Sequence, residues 1–372
     1  MDLFMIGMLI GGFILLVLGA ELLVRGAVRG ATLLGISPLV IGLTVVAFGT
    51  SAPELAVTLR AGLLGNPDIA LANVVGSNIF NILFTLGLCA MIRPLLVAQQ
   101  LVRLDVPLMV ALSVLTIVLA FDGRFQWYDG LLLVIGLIAY NVWAIRKSRR
   151  ESVAVKAEYA QEYGPPATPP IRISDVSQSV LLVASGLLIL VLGAQWLVDG
   201  AVALARLFGV SDLIIGLTIV TAGTSLPEVA ASIVATLRNE RDIAIGNVVG
   251  SNLFNILAIL GISSLATPGG LTVAPALFHF DLMIMTAVAF ACLPIFFSNY
   301  KITRWQGALF FGSYVAYLAY LILEATQHSA RHLFNNAMLF FVLPLITITL
   351  IVIGIRAVRT QGLIQRGTPG SF

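Results

Sequence analysis

The sequence predicts an all-α integral membrane protein built from two inverted-topology repeats of five helices, a ten-helix core, followed by an eleventh C-terminal helix. The first observation behind this prediction is composition: 59% of the 372 residues are apolar, 10% are charged, and the mean hydropathy is +1.02. Soluble domains carry about 25% charged residues, so a soluble globular protein and a disordered chain are both excluded. The second observation is an ungapped internal repeat, described below.

Eleven apolar runs follow one another along the chain, and each is long enough to cross a bilayer, which takes about 20 residues per helix. The runs are continuous rather than alternating, so a membrane β-barrel is not predicted. The first run lacks a basic leading segment and a small-residue cleavage site, so we interpret it as a retained helix. The predicted spans are residues 3–24, 38–62, 70–92, 104–121, 127–145, 177–199, 212–236, 243–266, 279–297, 304–323 and 336–355.

One long polar segment interrupts this pattern. It opens with four basic residues between positions 146 and 150 and contains four prolines between positions 165 and 170. Proline cannot continue a helix, so we interpret the segment as a linker. The predicted organisation is a first repeat over 1–145, a cytoplasmic linker over 146–176, a second repeat over 177–323, and an extra C-terminal helix and tail over 324–372.

The basic residues predict the orientation. With eleven spans, 17 of the 21 Lys and Arg residues fall on the linker side of the membrane, and only Arg60, Arg124, Arg206 and Arg331 fall on the other. Cytoplasmic loops carry the excess of positive charge. We therefore expect a multi-pass protein of the plasma (inner) membrane, with the N-terminus outside and both the linker and the C-terminus in the cytoplasm.

The internal repeat has a constant offset of 174 residues. The related pairs are 18–37 with 192–211 (12 of 20 positions identical), 42–58 with 216–232 (10 of 17) and 68–87 with 242–261 (15 of 20). Shared membrane composition would give scattered matches at Leu and Val. It would not give ungapped matches at Gly, Ser, Thr, Asn, Pro and Glu, so the two halves are duplicates.

Each half has five spans, an odd number, so the second copy must enter the membrane from the opposite side. This inverted arrangement is typical of secondary transporters that work by alternating access. Their binding sites lie near the midplane, where broken helices of the two halves meet.

Two acids lie in the middle of apolar runs. Glu54 is in the second span and Glu228 is its repeat partner in the seventh. An ionised group in the bilayer costs several kcal/mol unless it is paired or hydrated, and neither run has a basic residue at its centre. Protonated acids that hold helices together are one interpretation. Two symmetry-related carboxylates facing a shared cavity, which form a cation site, are the interpretation we favour.

Helical spacing places hydroxyl groups on the same face as each acid, at i, i+3, i+4 and i+7. Carboxylates and hydroxyls are hard oxygen ligands that suit Ca²⁺, Mg²⁺ or Na⁺, although small hydroxyl residues alone also favour helix packing. The two stripes are Ala47, Thr50, Ser51 and Glu54 in the first half, and Thr221, Thr224, Ser225 and Glu228 in the second.

A proline precedes each acid. Because Pro53 and Pro227 have no N–H group, the carbonyls of Gly49 and Gly223 lose their helical partners. Each Gly-Thr-Ser-x-Pro-Glu sequence therefore predicts a helix break with a free backbone oxygen beside the acid. Such backbone is tolerated at this depth when it is buried in protein or lines a wet cavity. A simple proline kink is the alternative.

The third and eighth spans supply further polar side chains. Ser77 and Asn81 are four residues apart, as are Ser251 and Asn255, so each pair shares a helix face. We predict these four as ligands. Four other asparagines are expected to hold helices together: Asn73, Asn78, Asn247 and Asn252.

Charge counting constrains the ion. Two glutamates carry −2, which one Ca²⁺, two Na⁺ or two protons would neutralise. Species that use the same oxygens exclude one another, and antiport requires this competition. Mg²⁺ is less suitable because it keeps its waters and demands stricter geometry. No cofactor is predicted, since the ions are transported.

These motifs resemble those of a known family. The sequences Gly-Thr-Ser-Ala-Pro-Glu at 49–54 and Gly-Thr-Ser-Leu-Pro-Glu at 223–228, and the Gly-Ser-Asn-x-Phe-Asn stretches at 76–81 and 250–255, are similar to the repeat signatures of the Ca²⁺/cation antiporter superfamily. The pattern looks most like the prokaryotic sodium/calcium exchanger branch. The resemblance covers roughly residues 1–323.

The resemblance implies four mid-membrane sites lined by the second, third, seventh and eighth helices, with the first and sixth helices sliding across this core. It assigns backbone carbonyl ligands to Ala47 and Thr221. Sodium/calcium members carry Asp where this chain has Asn255, so Na⁺ coupling becomes a question here. The run 336–355 exceeds the family's ten-helix plan. The implied ligands are Ala47, Thr50, Ser51, Glu54, Ser77, Asn81, Thr221, Thr224, Ser225, Glu228, Ser251 and Asn255.

We therefore expect an antiporter that moves Ca²⁺ outward against inward Na⁺. Ca²⁺/H⁺ exchange is the nearest alternative, and a cation channel with the same oxygen ring is a second. An intramembrane enzyme is not expected, because no nucleophile-plus-base set or phosphate-binding motif accompanies the acids. The expected partners are Ca²⁺, Na⁺ (or H⁺) and lipid, not nucleic acid, and the sequence gives no oligomeric state.

Overall fold

The computed structural model describes residues 3–163, 173–210, 212–215, 218–219, 221–298 and 300–366. Within these residues nine helices are long and apolar enough to cross a membrane, and a bent helix pair makes a tenth span. The first half contains α1 (Leu3–Leu34), α2 (Pro38–Thr50), α3 (Ala52–Leu63), α4 (Pro67–Ile92), α5 (Leu101–Asp122) and α6 (Trp127–Tyr163).

The second half repeats this order. Its seventh predicted span, 212–236, lies partly outside the described residues, and the described parts include three helices, the longest of which is Leu226–Leu237. The elements are α7 (Ile173–Leu207), α8 (Asp212–Ile215), α9 (Thr221–Thr224), α10 (Leu226–Leu237), α11 (Arg241–Ala266), α12 (Leu277–Phe297), α13 (Arg304–Ala325) and the added α14 (Arg331–Ile355).

Several helices extend beyond their predicted spans. The first was predicted to end at residue 24 but continues to Leu34, and α6 continues past residue 145 to Tyr163. Hydropathy detects only the part of a helix that crosses lipid. The polar ends remain helical, helped in α1 by an ion pair at i, i+4 in which Arg25 Nε lies 2.5 Å from Glu21 Oε1.

Two short antiparallel strand pairs, which the sequence did not predict, join the halves. Strand β1 (Leu95–Leu96) pairs with β4 (Lys301–Ile302), and β2 (Arg124–Phe125) pairs with β3 (Leu271–Thr272). Each pair joins a loop of one half to a loop of the other. The two pairings are equivalent, because β1 and β3 occupy corresponding places in the two halves, as do β2 and β4.

Helices α1 and α7 pack closely along facing glycines. A Cβ added to Gly19 would lie 2.6 Å from the Leu190 backbone nitrogen, and one added to Gly12 would lie 2.9 Å from the Gly193 carbonyl oxygen. The partner numbers fall along α7 as they rise along α1, so the two helices are antiparallel. Small residues allow this backbone approach in membranes.

The two helices that carry the repeated serines and asparagines form the centre of the molecule. The apolar window of α11 is buried along its whole length and that of α4 over 72%, whereas only 6% of the window of α13 is buried. Helices α4 and α11 carry the predicted asparagines and serines, so these groups face protein rather than lipid. The added α14 packs against α12, with Gly354 close to Pro294.

The repeat-related helices of the two halves do not make equivalent contacts. Helix α1 packs along α10, whereas its repeat partner α7 has hardly any contact with α3, the repeat partner of α10. Burial follows the same difference: Val57 on α3 is 39% exposed, while the corresponding Ala231 on α10 is 1% exposed. The surface beside α3 is therefore open and the surface beside α10 is covered.

Candidate functional site

The predicted helix break is present in both halves, and it lies at the serine. Helix α2 ends at Thr50, α3 begins at Ala52, and their axes differ by 46°. Ser51 has φ −82° and ψ 7°, and Ser225 has φ −90° and ψ 6° between α9 and α10. Each proline then occupies the first turn of the following helix, where its missing N–H needs no partner.

The two acids meet through crossed hydrogen bonds. Ser51 Oγ donates to Glu228 Oε1 at 2.9 Å, and Ser225 Oγ donates to Glu54 Oε1 at 2.8 Å. Both carboxylates are completely buried. The serine of each break therefore holds the acid of the other half, and the two carboxylates share one enclosed site.

Three further side chains complete this contact. Ser225 Oγ also lies 3.3 Å from Ser77 Oγ on α4, so the third span reaches the same point. Asn73 Nδ2 donates to the Glu54 carbonyl at 3.3 Å, and Asn247 Nδ2 donates to the Glu228 carbonyl at 3.3 Å. These two asparagines fix the backbone of the acids and so hold helices together, the role predicted for them.

Several buried oxygens of the predicted ligands have no hydrogen-bond partner within the described part of the chain. Buried polar atoms are nearly always paired, so a group of unpaired oxygens is the arrangement expected of cation ligands. These oxygens are Glu54 Oε2, Glu228 Oε2, Asn81 Oδ1, Ser251 Oγ and Asn255 Oδ1.

The predicted asparagine ligands lie at irregular points of their helices. Asn81 and Asn255 each begin a π-helical segment, over Asn81–Leu86 and Asn255–Leu260. Single π-turns of this kind occur frequently at functional sites. Hydropathy and motif spacing carry no signal for a π-turn, so the sequence did not predict it.

Asn255 is held by an unpredicted chain of contacts. Its Nδ2 donates to Asn78 Oδ1 at 2.9 Å, and Asn78 Nδ2 in turn contacts Met285 Sδ on α12 at 3.5 Å. The nitrogen of Asn255 is thereby used, which leaves its Oδ1 as the unpaired atom. A motif search could have found Asn78 but not Met285, which lies outside the repeated motifs.

The remaining predicted ligands either have hydrogen-bond partners within their helices or lie partly outside the described residues. Thr50 Oγ1 lies 3.1 Å from the Val46 carbonyl and 3.1 Å from Asn247 Oδ1, and the Ala47 carbonyl accepts from the Ser51 N–H at 3.0 Å. Both groups therefore have helical partners in this conformation. The Thr221 side chain lies outside the described residues, and Thr224 is half-buried.

The glycines of the breaks have a second role that the sequence did not indicate. A Cβ added to Gly49 would lie 2.5 Å from Leu187 Cδ1, and one added to Gly223 would lie 2.4 Å from Val198 Cγ2. Both glycines thus permit α7 to approach the site.

This arrangement suits the binding of a hard cation. It offers two carboxylates, each with one hydrogen-bonded oxygen and one that has no partner among the described residues, together with neutral hydroxyl and amide oxygens that are also buried. Ca²⁺ accepts six to eight such oxygens in flexible geometry.

Comparisons with known proteins agree with this chemistry. A family model described as "Sodium/calcium exchanger protein" matches residues 4–146 and 178–323. The putative antiporter CaxA of Alkalimonas amylolytica is 37% identical over 309 residues, covering 82% of this chain and 95% of that protein. The sodium/calcium exchanger MaX1 of Methanosarcina acetivorans is 31% identical over 342 residues, covering 83% and 96%.

A solved structure of the sodium-calcium exchanger NCX_Mj, soaked with 2.5 mM Na⁺ and 0.1 mM Ca²⁺, superposes with a TM-score of 0.72 at 32% identity, covering 86% of this chain and 99% of that one. Because the family model spans both halves and the fold agrees, the chain belongs to the sodium/calcium exchanger family and is a multi-pass membrane antiporter of cations, not an enzyme.

Proposed function

We propose that this protein exchanges Ca²⁺ for Na⁺ by alternating access, and that both ions compete for one site between Glu54 and Glu228. The observation that carries the proposal is the crossed pair of serine–glutamate bonds, which brings together two buried carboxylates and leaves Oε2 of each without a hydrogen-bond partner among the described residues. One divalent ion neutralises this pair, as do two monovalent ions. Occupancy by one kind of ion therefore excludes the other.

The proposed site is larger than the crossed pair. Ser77, Asn81, Ser251 and Asn255 contribute oxygens from α4 and α11, and all four are buried. Ala47, Thr50, Thr221 and Thr224 lie one to two turns from the acids on the preceding helices and would join the site at its two ends.

We infer that the moving part is the pair α1 and α7. The pair is packed tightly along its own glycines and lies against the broken helices, whereas α4 and α11 are buried in the centre. Equivalent helices that run antiparallel are what an inverted repeat produces. Sliding the pair would cover one side of the site and uncover the other.

The charge distribution orients this movement. In the plasma (inner) membrane, with the N-terminus outside and the linker in the cytoplasm, α3 ends at the outer surface and α10 ends at the cytoplasmic surface. The open side beside α3 then faces outward, and the covered side beside α10 faces the cytoplasm.

The experiment that tests the function is ⁴⁵Ca²⁺ flux in proteoliposomes with Na⁺ and proton gradients imposed separately. We expect uptake driven by an outward Na⁺ gradient at constant pH. Uptake that follows only the pH gradient would show that H⁺, rather than Na⁺, is the ion exchanged for Ca²⁺. This second candidate is favoured by one observation: position 255 carries a neutral amide, so the site has only the two acids. Conductance faster than the μs–ms steps of a conformational cycle would indicate a channel.

A further inference from the structure

An ion pair at one end of the molecule connects the moving pair of helices to the core. Glu21 of α1 contacts Arg238, the residue that follows α10, and the same carboxylate contacts Arg25 of its own helix. Glu21 is 23% exposed and Arg238 is 40% exposed. The contact therefore lies at the edge of the site's covered side.

The equivalent positions of the repeat cannot form this ion pair. The positions equivalent to Glu21 and Arg238 in the other half are Gln195 and Leu64. A glutamine and a leucine cannot form an ion pair. When α7 covers α3 in the opposite conformation, these two positions therefore supply no corresponding ion pair.

A second ion pair at the same end provides a contrast. Arg29 of α1 lies 2.7 Å from Asp175 of α7 and also donates to Gln178 of α7. Both partners belong to the moving pair, so this contact persists whichever side is covered. Among the charged contacts of α1 described here, the one with Arg238 is the one that reaches across to the core.

We propose that Glu21 and Arg238 are positioning residues for exchange: they latch α1 onto α10 and bias the protein toward the conformation in which the α3 side is open. The proposal rests on the alternating-access exchange proposed above. A sodium/calcium exchanger with such a latch would return to this conformation after each cycle, because the opposite conformation lacks the contact.

Hydrogen–deuterium exchange of the full-length protein in proteoliposomes measures the balance between the two conformations without ion flux. The measured quantity is the exchange in the α10 segment divided by that in the α3 segment. Loss of the ion pair in Glu21→Gln or Arg238→Gln should uncover α10 and let α7 cover α3. The exchange in α10 divided by that in α3 should therefore rise about two- to fivefold, the size expected for an exposed ion pair. The matched control Arg29→Gln should leave the ratio unchanged. The effect should shrink in 1 M salt, where the Debye length is about 3 Å.

A mirrored pair tests the same idea in the opposite direction. The double variant Leu64→Arg with Gln195→Glu places the ion pair beside α3, at two exposed positions, and the ratio should rise as in Glu21→Gln because α7 now holds the α3 side closed. If Arg29→Gln acts as strongly as Glu21→Gln, or if the mirrored pair leaves the ratio unchanged, the latch is refuted. Because no transported ion enters this measurement, a failure of the latch and a failure of Na⁺/Ca²⁺ exchange remain distinguishable.

Discussion

Ser51 and Ser225 each hold the acid of the opposite half by a hydrogen bond. Each sits at a break between two helices, where its hydroxyl can point across to the other half rather than back along its own helix. A serine inside a continuous helix commonly bonds to the carbonyl four residues earlier, as Ser113 and Ser264 do here. The break therefore converts an ordinary helix residue into the contact that joins Glu54 and Glu228.

We expect Glu54→Gln and Glu228→Gln to abolish Ca²⁺ flux while expression stays close to that of the unmodified protein. Glutamine has the shape of glutamate and can still accept the serine bond, but it removes one of the two charges that a cation needs. The measurement is ⁴⁵Ca²⁺ uptake in vesicles. Glu324→Gln, whose carboxylate pairs with Arg331 away from the site, is the control. Uptake at the unmodified rate in either site variant would contradict the assignment.

Position 255 allows a separate prediction. Asn255→Asp adds a third carboxylate and removes the donor that binds Asn78 Oδ1. The added charge should lower the Na⁺ concentration needed for half-maximal Ca²⁺ exchange several-fold, because it attracts cations to the site. The check is a Na⁺ titration of flux beside Asn335→Asp, a control on α14. An unchanged titration would remove Asn255 from the ligand set.

The sequence predicts some of these residues well and others not at all. Glu54 and Glu228 stand out because an acid in an apolar run is costly and because the repeat marks both. The bond from Asn255 to Asn78 depends on how α4 and α11 cross, which the spacing within one helix does not contain. The π-turns that begin at Asn81 and Asn255 were also not predicted, because hydropathy and motif spacing carry no signal for them.

At the scale of helices, glycine decides which pairs can approach. The facing glycines of α1 and α7 leave no room for a side chain, so these two helices are able to move as one body. The motifs predict only a carbonyl role for the glycines of the breaks, because a sequence shows which residue lacks a side chain but not which neighbour occupies that space. The helix pairing supplies that information.

We expect Gly19→Ala to lower the melting temperature of the purified protein in detergent, because the new Cβ would lie 2.6 Å from the Leu190 backbone nitrogen and force the helices apart. A cost of about 1–3 kcal/mol is typical of overpacking. Gly7→Ala on the same helix is the matched control, since nothing lies within 4 Å of its added Cβ. Equal melting temperatures for the two variants would argue against close packing of α1 on α7.

Over the full length of the chain, the duplicated halves make unequal contacts, as the proposed alternating access requires. Self-similarity identified the repeat, and hydropathy located the nine long apolar helices and the bent pair found within the described residues. The side that is covered could not be predicted, because the two conformations of the proposed cycle share one sequence and would differ only in how α1 and α7 lie on α3 and α10.

The orientation in the membrane can be checked by labelling. Asp122→Cys, beside β2, should react with a membrane-impermeant maleimide in intact cells, whereas Lys301→Cys, in β4, should react only after the membrane is opened. The two native cysteines, Cys89 and Cys292, are buried and should add little background. The reverse labelling pattern would place the linker outside and invert the proposed direction of access.

The proposed exchange requires that one oxygen cage between Glu54 and Glu228 holds either Ca²⁺ or the ions that replace it. Calorimetric titration of the purified protein with Ca²⁺ at a series of Na⁺ concentrations tests this most directly. We expect the apparent Kd for Ca²⁺ to rise continuously with Na⁺, and Ca²⁺ binding to be lost in the Glu54→Gln, Glu228→Gln double variant. A Kd for Ca²⁺ that does not change with Na⁺, or full Ca²⁺ binding by the double variant, would contradict a shared site.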